Sequence, residues 1–175
     1  MGQWEHTKRG LMAKKNNMYQ DCTAADTVSQ RIETALRQSF NLPMAHSYCS
    51  YHCSVWYPRT LDDAWFSIES SVNVLTNKAH SLCACFTSPL DAADEIKLRV
   101  PHSNLRIDEN DKLGLWVTSP KFNDLRAAVN WLRKWGRLYC PILTKETAEF
   151  LRTSKAHQAL QTMRESIALC ATSPY

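Results

Sequence analysis

Cysteine and histidine crowd into two stretches of the chain, with His46, Cys49, His52 and Cys53 in the first and His80, Cys83 and Cys85 in the second. Thiolates and imidazoles are the ligands zinc prefers, and four suffice for a structural site. The spacing works against a shared ion. On one extended strand Cys49 and Cys53 face one way, and His46 and His52 face the other. Cys83 and Cys85 likewise share a face. In the sheet expected from the element order, another strand separates the two stretches, which leaves their cysteine pairs about 10 Å apart. Neither stretch holds the glycine that ligand-bearing turns use. Cys49, Cys53, Cys83 and Cys85 thus stand as metal candidates with geometry against them, and buried thiols acting as small hydrophobes are the expected role. No metal or other cofactor is expected.

Other catalytic constellations fare no better. Cys49, Cys53, Cys83 or Cys140 paired with a histidine would make a thiol nucleophile, but no local feature marks an activated thiolate. Asp108, Glu109 and Asp111 match part of a calcium loop without its central glycine and terminal glutamate, so they read as a polar turn. Asp91, Asp94 and Glu95 fall at a predicted helix start, where the helix dipole accounts for acidic residues. The chain has four glycines, Gly2, Gly10, Gly114 and Gly136, so neither a phosphate-cradling loop nor a dinucleotide fingerprint can form. Gly-x-Ser-x-Gly, His-Glu-x-x-His and Cys-x-x-Cys are all absent.

The positive signal is basic. Residues 119–164 carry nine basic and three acidic side chains, whereas residues 21–118 carry eight basic and twelve acidic. Within the basic block, Phe122, Leu125, Val129, Leu132 and Trp135 make the apolar stripe of a helix over 121–137. Arg126, Asn130, Arg133, Lys134 and Arg137 lie off that stripe. Arg133 and Arg137 are four apart and are expected to project together. Such a face suits phosphate contacts, with the Asn130 amide available to a base edge or sugar. Trp131, beside it, either stacks on a base or packs inward. Lys14 and Lys15 sit in a basic arm spanning residues 1–20 and are read as a mobile clamp. The same face also fits an ordinary solvated helix with no partner.

These residues must be placed by the surrounding elements. A helix is predicted over 24–39 from Val28, Ile32, Ala35 and Leu36, ending before Pro43. A single strand is predicted over 46–57. A helix capped by Thr60 is predicted to run to about Lys78, with Ala64, Trp65, Ile68, Val72 and Leu75 on one face. A buried strand follows over 79–87, then a short helix over 90–98 and a hairpin of 105–107 with 112–118. Gly136 is expected as a left-handed helix cap, and 138–143 as an edge strand containing Pro141. Thr144 is expected to cap a further helix, and a last one covers about 155–169. The centre of this order is β-α-β-β-α-β, so the expected fold is α/β, a mixed sheet with a ferredoxin-like core plus N- and C-terminal helices. Residues 21–175 are read as a single domain.

The bulk properties agree with a folded chain. Apolar residues at 44% and charged residues at 22% are ordinary globular values, which argues against a disordered chain. No apolar stretch is long enough to span a membrane or act as a signal peptide, and His6 occupies the position a myristoylation signal gives to Ser or Thr. An odd count of seven cysteines and no Asn-x-Ser/Thr acceptor favour a reducing compartment, hence an intracellular, cytoplasmic protein with no membrane partner. An RNA-recognition module would need aromatics on its first and third strands. Trp56, Tyr57 and Trp116 qualify, but Lys112 to Val117 lacks the surrounding consensus. The leading expectation is a non-enzymatic nucleic-acid-binding accessory protein, with DNA and RNA unresolved. The alternatives are a protein-interaction or inhibitory module, for which six tryptophans argue, and a zinc- or thiol-dependent enzyme.

Overall fold

The chain opens into a helix, α1 (Gln3–Phe40), whose inner stripe of Ala24, Ala25, Val28, Ile32, Leu36 and Phe40 recurs at helical spacing and is buried. A computed structural model describes residues 3–59, 63–107 and 114–144 together with Thr162, with side chains from Cys22 onward. The predicted 24–39 helix is therefore the second half of α1, and the backbone expected as an arm is helical from Gln3. Asn41 ends it with φ of 53° and donates its N–H to the Arg37 carbonyl at 2.7 Å. Asparagine tolerates this left-handed cap, and Pro43 prevents any continuation.

Among the described residues six strands form one antiparallel sheet, β1 (Ala45–Cys49), β2 (His52–Pro58), β3 (Ala64–Asn73), β4 (Lys78–Pro89), β5 (Asn104–Ile107) and β6 (Gly114–Thr118). Their order across the sheet is β1-β2-β3-β4-β6-β5. The α+β class holds, but the sheet is not mixed and its order is not ferredoxin-like. Two local differences change the topology. The predicted 46–57 strand is a hairpin, with Ser50 and Tyr51 as its loop and Cys49 opposite His52. The predicted helix after Thr60 is strand β3. Residues 60–62 lie outside the described residues, but Phe66, Ile68, Ser70 and Val72 alternate inward from β3. Leu75, assigned to the apolar face of that helix, is 92% exposed in the turn to β4. That turn has its own chemistry. Asn73 Oδ1 accepts the N–H groups of Leu75 and Thr76, and Asn77 takes a left-handed φ of 52°.

The buried strand expected over 79–87 lies within β4. A bulge between its pairs with Glu69 and Ser71 places Ser81 at φ of 51°. The expected short helix is a 3₁₀ turn (Leu90–Ala92) followed by α2 (Ala93–Arg99), and the expected hairpin is β5 with β6. The Asp108 to Asp111 turn lies outside the described residues.

The basic helix starts later than Ser119-Pro120 predicts. Ser119 is fully buried and extends the strand pairing, its N–H bonding the Ala84 carbonyl and its Oγ accepting from the Ala84 N–H. Asp124 then caps α3 (Leu125–Trp131), which widens into a π-helical turn (Leu132–Gly136) and closes as α4 (Arg137–Tyr139). Two expectations are corrected here. Gly136 is not a left-handed cap, since its φ is −60°. Residues 138–143 form no edge strand, because α4 runs directly into a 3₁₀ turn (Pro141–Leu143). The helices expected beyond Thr144 lie outside the described residues.

One face of the sheet builds the core. Pairing places Val55, Ile68 and Ala84 in one row and Tyr57, Phe66, Phe86 and Val117 in the next. Phe40 of α1 packs on Phe66 with ring centroids 5.3 Å apart, and Trp131 of α3 packs on Phe86 at the same separation. Glu33 of α1 reaches the edge strand β1, its Oε2 lying 3.2 Å from His46 Nδ1. Thus α1 and α3 occupy the same side of the sheet.

Candidate nucleic-acid interface

The outer face of α3 and the π turn carries the predicted basic set. Arg126, Asn130, Arg133 and Lys134 are all exposed, while Ala128, Val129, Trp131 and Leu132 are buried beneath them. The division follows from helical spacing, because the buried residues bring α3 onto β4 and the polar ones point away. Among the described residues, no carboxylate pairs with Arg126, Arg133 or Lys134. Lys134 rests its ammonium 4.6 Å from the centre of the Trp135 ring. This keeps it on the surface beside an aromatic that is only partly buried.

Arg137 has a different place. It is half-buried, donates to the Ser39 carbonyl at 3.2 Å and stacks 5.7 Å from the Phe40 ring. Arg133, by contrast, is exposed. Arg137 therefore docks the basic segment onto the end of α1, leaving Arg126, Asn130, Arg133 and Lys134 as the exposed ridge. Lys14 and Lys15 fall on α1, and their side chains lie outside the described residues.

Trp131 packs inward. Its Nε1 donates to the Pro101 carbonyl at 2.8 Å, and the ring lies against Phe86. Both ends of an amphipathic side chain are thus satisfied by the core.

The thiols are dispersed. Cys49 and Cys53 do not share a strand as expected. The hairpin pairs Cys49 with His52 and Cys53 with Tyr48, so the two thiols point to opposite faces. Cys49 is exposed and Cys53 buried. Cys83 and Cys85 do share a face of β4, which β3 separates from β2. Among the described residues no group of three or more His, Cys, Asp or Glu side chains is arranged to hold a metal ion. Burial pushes the Cys53 and Cys85 thiols up to about 11 and that of Cys140 to about 12. Cys140 spends its proton on the Trp65 carbonyl at 3.6 Å. Thiols held neutral in this way make poor nucleophiles and poor metal ligands.

No protein-family model matches this chain, and no curated protein or solved structure was found to be similar to it. Among the described residues no helix is long and apolar enough to cross a membrane.

Proposed function

We propose that the protein is a nucleic-acid-binding accessory factor that grips the phosphate backbone with the outer ridge of α3 and its π turn. The observation that carries this reading is the absence of carboxylate partners among the described residues for three exposed cations on one short ridge, Arg126, Arg133 and Lys134. Unpaired surface cations keep their full attraction for polyanions, and their counterions are released on binding. Asn130 adds a neutral amide for a sugar or base edge. Arg137 contributes by holding the ridge to α1.

Fluorescence anisotropy of labelled random single- and double-stranded oligonucleotides, titrated at several salt concentrations, tests this directly. Micromolar binding with a steep salt dependence is expected. The double variant Arg126→Gln, Arg133→Gln removes two exposed charges without disturbing a packed contact. It should flatten the slope of log affinity against log salt by about 1.8 on duplex DNA. An unchanged slope in the folded double variant, or no binding by the parent protein at low salt, overturns the proposal.

A further inference from the structure

The sheet has a second face, turned away from α1 and α3, and it carries a different chemistry. Residues paired across antiparallel strands point the same way. Ser47 therefore joins Ser54, Ser54 joins Glu69, and Trp56 joins Ser67 on this face. Trp116 joins it from β6, since its neighbours Leu115 and Val117 are buried on the core side. A cleft of about 340 Å³ opens here, with Trp56 and Trp116 in its walls.

Three features of this cleft point to one class of ligand. Ser67 is 4% exposed and lines the cleft, yet among the described residues its Oγ has no oxygen or nitrogen partner, only the Cys85 thiol beside it. The Cys85 thiol opposite it donates instead to Thr118 Oγ1 at 3.7 Å. A buried hydroxyl left without an oxygen or nitrogen partner is uncommon in a native fold and calls for an explanation at that position. Second, among the described residues the lining contains two carboxylates and no cationic side chain. Asp63 is already committed, paired with Arg59 and accepting the Ala64 N–H at 2.9 Å. Glu69 is exposed and, among the described residues, paired with no cation. Third, tryptophan faces attract cations through their electron-rich rings. The rim already displays this chemistry within the chain, where the Arg59 guanidinium sits 5.2 Å from the centre of the Trp65 ring while paired with Asp63.

We propose that this cleft is a binding site for an organic cation bearing N–H donors, a guanidinium or primary ammonium group. The cation lies against Trp56 and Trp116, Glu69 supplies the countercharge, and Ser67 Oγ accepts one N–H. A phosphate-bearing ligand is disfavoured, because it would bring like charge to Glu69, and the nearby Arg59 is already paired with Asp63. Two sources share the chemistry: a free small amine, or an arginine or lysine side chain presented by a polypeptide.

Isothermal titration of the full chain with agmatine, with acetyl-Gly-Arg-Gly-amide, with choline and with guanosine monophosphate tests the site. Agmatine or the peptide should bind at submillimolar concentration, and whichever binds tighter identifies the source. Glu69→Gln preserves shape at an exposed position and should weaken binding by about tenfold, the usual scale for losing a charge-assisted partner. Choline, which has no N–H, should bind more weakly than agmatine to the parent and equally to Ser67→Ala. Failure of both guanidinium ligands to bind at millimolar concentration would overturn the proposal. So would unchanged affinity in Glu69→Gln, or guanosine monophosphate binding in place of agmatine. Equal affinity of the parent for choline and agmatine would overturn the role of Ser67.

Discussion

Ser67 and Trp131 are opposite cases of a polar group carried into the interior. The indole N–H of Trp131 finds the Pro101 carbonyl, whereas among the described residues the hydroxyl of Ser67 finds only the weakly polar Cys85 thiol. Leaving a buried hydroxyl unsatisfied costs about 1–3 kcal/mol, and alanine at the same position removes the cost with little loss of volume. Ser67→Ala is therefore expected to stabilise the fold by about 1 kcal/mol, read as a raised urea midpoint at unchanged m-value. A lowered midpoint would show that the hydroxyl is already satisfied in the free protein. The two residues also differ in legibility. Trp131 has two readings from sequence, and the three-dimensional neighbours Phe86 and Pro101 decide between them. Ser67 has no sequence signal at all, because its segment reads as a helix in which a serine carries no meaning. The exposed positions Arg126, Asn130, Arg133 and Lys134 were legible, since they are what the apolar stripe of the helix leaves over. The placement of Arg137 was not, because the Ser39 carbonyl and Phe40 ring that hold it lie far away in the sequence.

Elements were legible where one periodicity stood alone and obscured where two overlapped. In α1 only the helical spacing fits, and it places Val28, Ile32 and Leu36 inside. In β3 both fit. Trp65, Ile68, Val72 and Leu75 follow helical spacing, while the true alternation is hidden because Ser70 occupies a core position. Its Oγ donates to the Ser71 carbonyl at 2.7 Å, with the His80 carbonyl 3.3 Å away, which is how a serine can stand 1% exposed among Ile68 and Val72. The β1–β2 turn was obscured for another reason, since Ser50 and Tyr51 include none of the residues that usually mark a hairpin. Gly136 carries the strongest breaker signal in its region, which suggests a cap, yet its use is close packing. A Cβ built there would lie 2.8 Å from Leu143 Cδ1 and 3.7 Å from Leu132 Cδ2. Alanine gains about 1 kcal/mol of helix propensity and must push aside only the end of the Leu143 side chain, so Gly136→Ala should fall within about 1 kcal/mol of neutral. Valine brings branched bulk that Leu143 cannot clear, and Gly136→Val should cost about 2–3 kcal/mol. Equal urea midpoints for the two variants would show that the approach of Leu143 is not what holds a glycine there.

At the scale of the molecule the sheet keeps two surfaces of opposite character apart. The basic ridge belongs to the helical layer, because Trp131 of α3 packs on Phe86, and Phe86 shares its sheet face with Phe66, on which Phe40 of α1 packs. The Trp56 and Trp116 cleft lies on the reverse face with Glu69 beside it. Among the described residues, the exposed Arg126, Arg133 and Lys134 stand on one side of the sheet and the Asp63 and Glu69 carboxylates of the cleft on the other. Charges on opposite sides of a sheet are separated by more than a Debye length of about 8 Å at physiological salt, since the sheet-to-helix layer alone spans about 10 Å. The two proposed activities should therefore be separable by mutation. Glu69→Gln should abolish most agmatine binding and leave the oligonucleotide affinity and its salt slope unchanged. The double variant Arg126→Gln, Arg133→Gln should do the reverse. Running both ligands against both variants distinguishes the failure of either reading from the failure of both. If Glu69→Gln instead strengthens oligonucleotide binding strongly at physiological salt, nucleic acid must pass close to the cleft, and the two faces form one wrapped surface rather than independent sites.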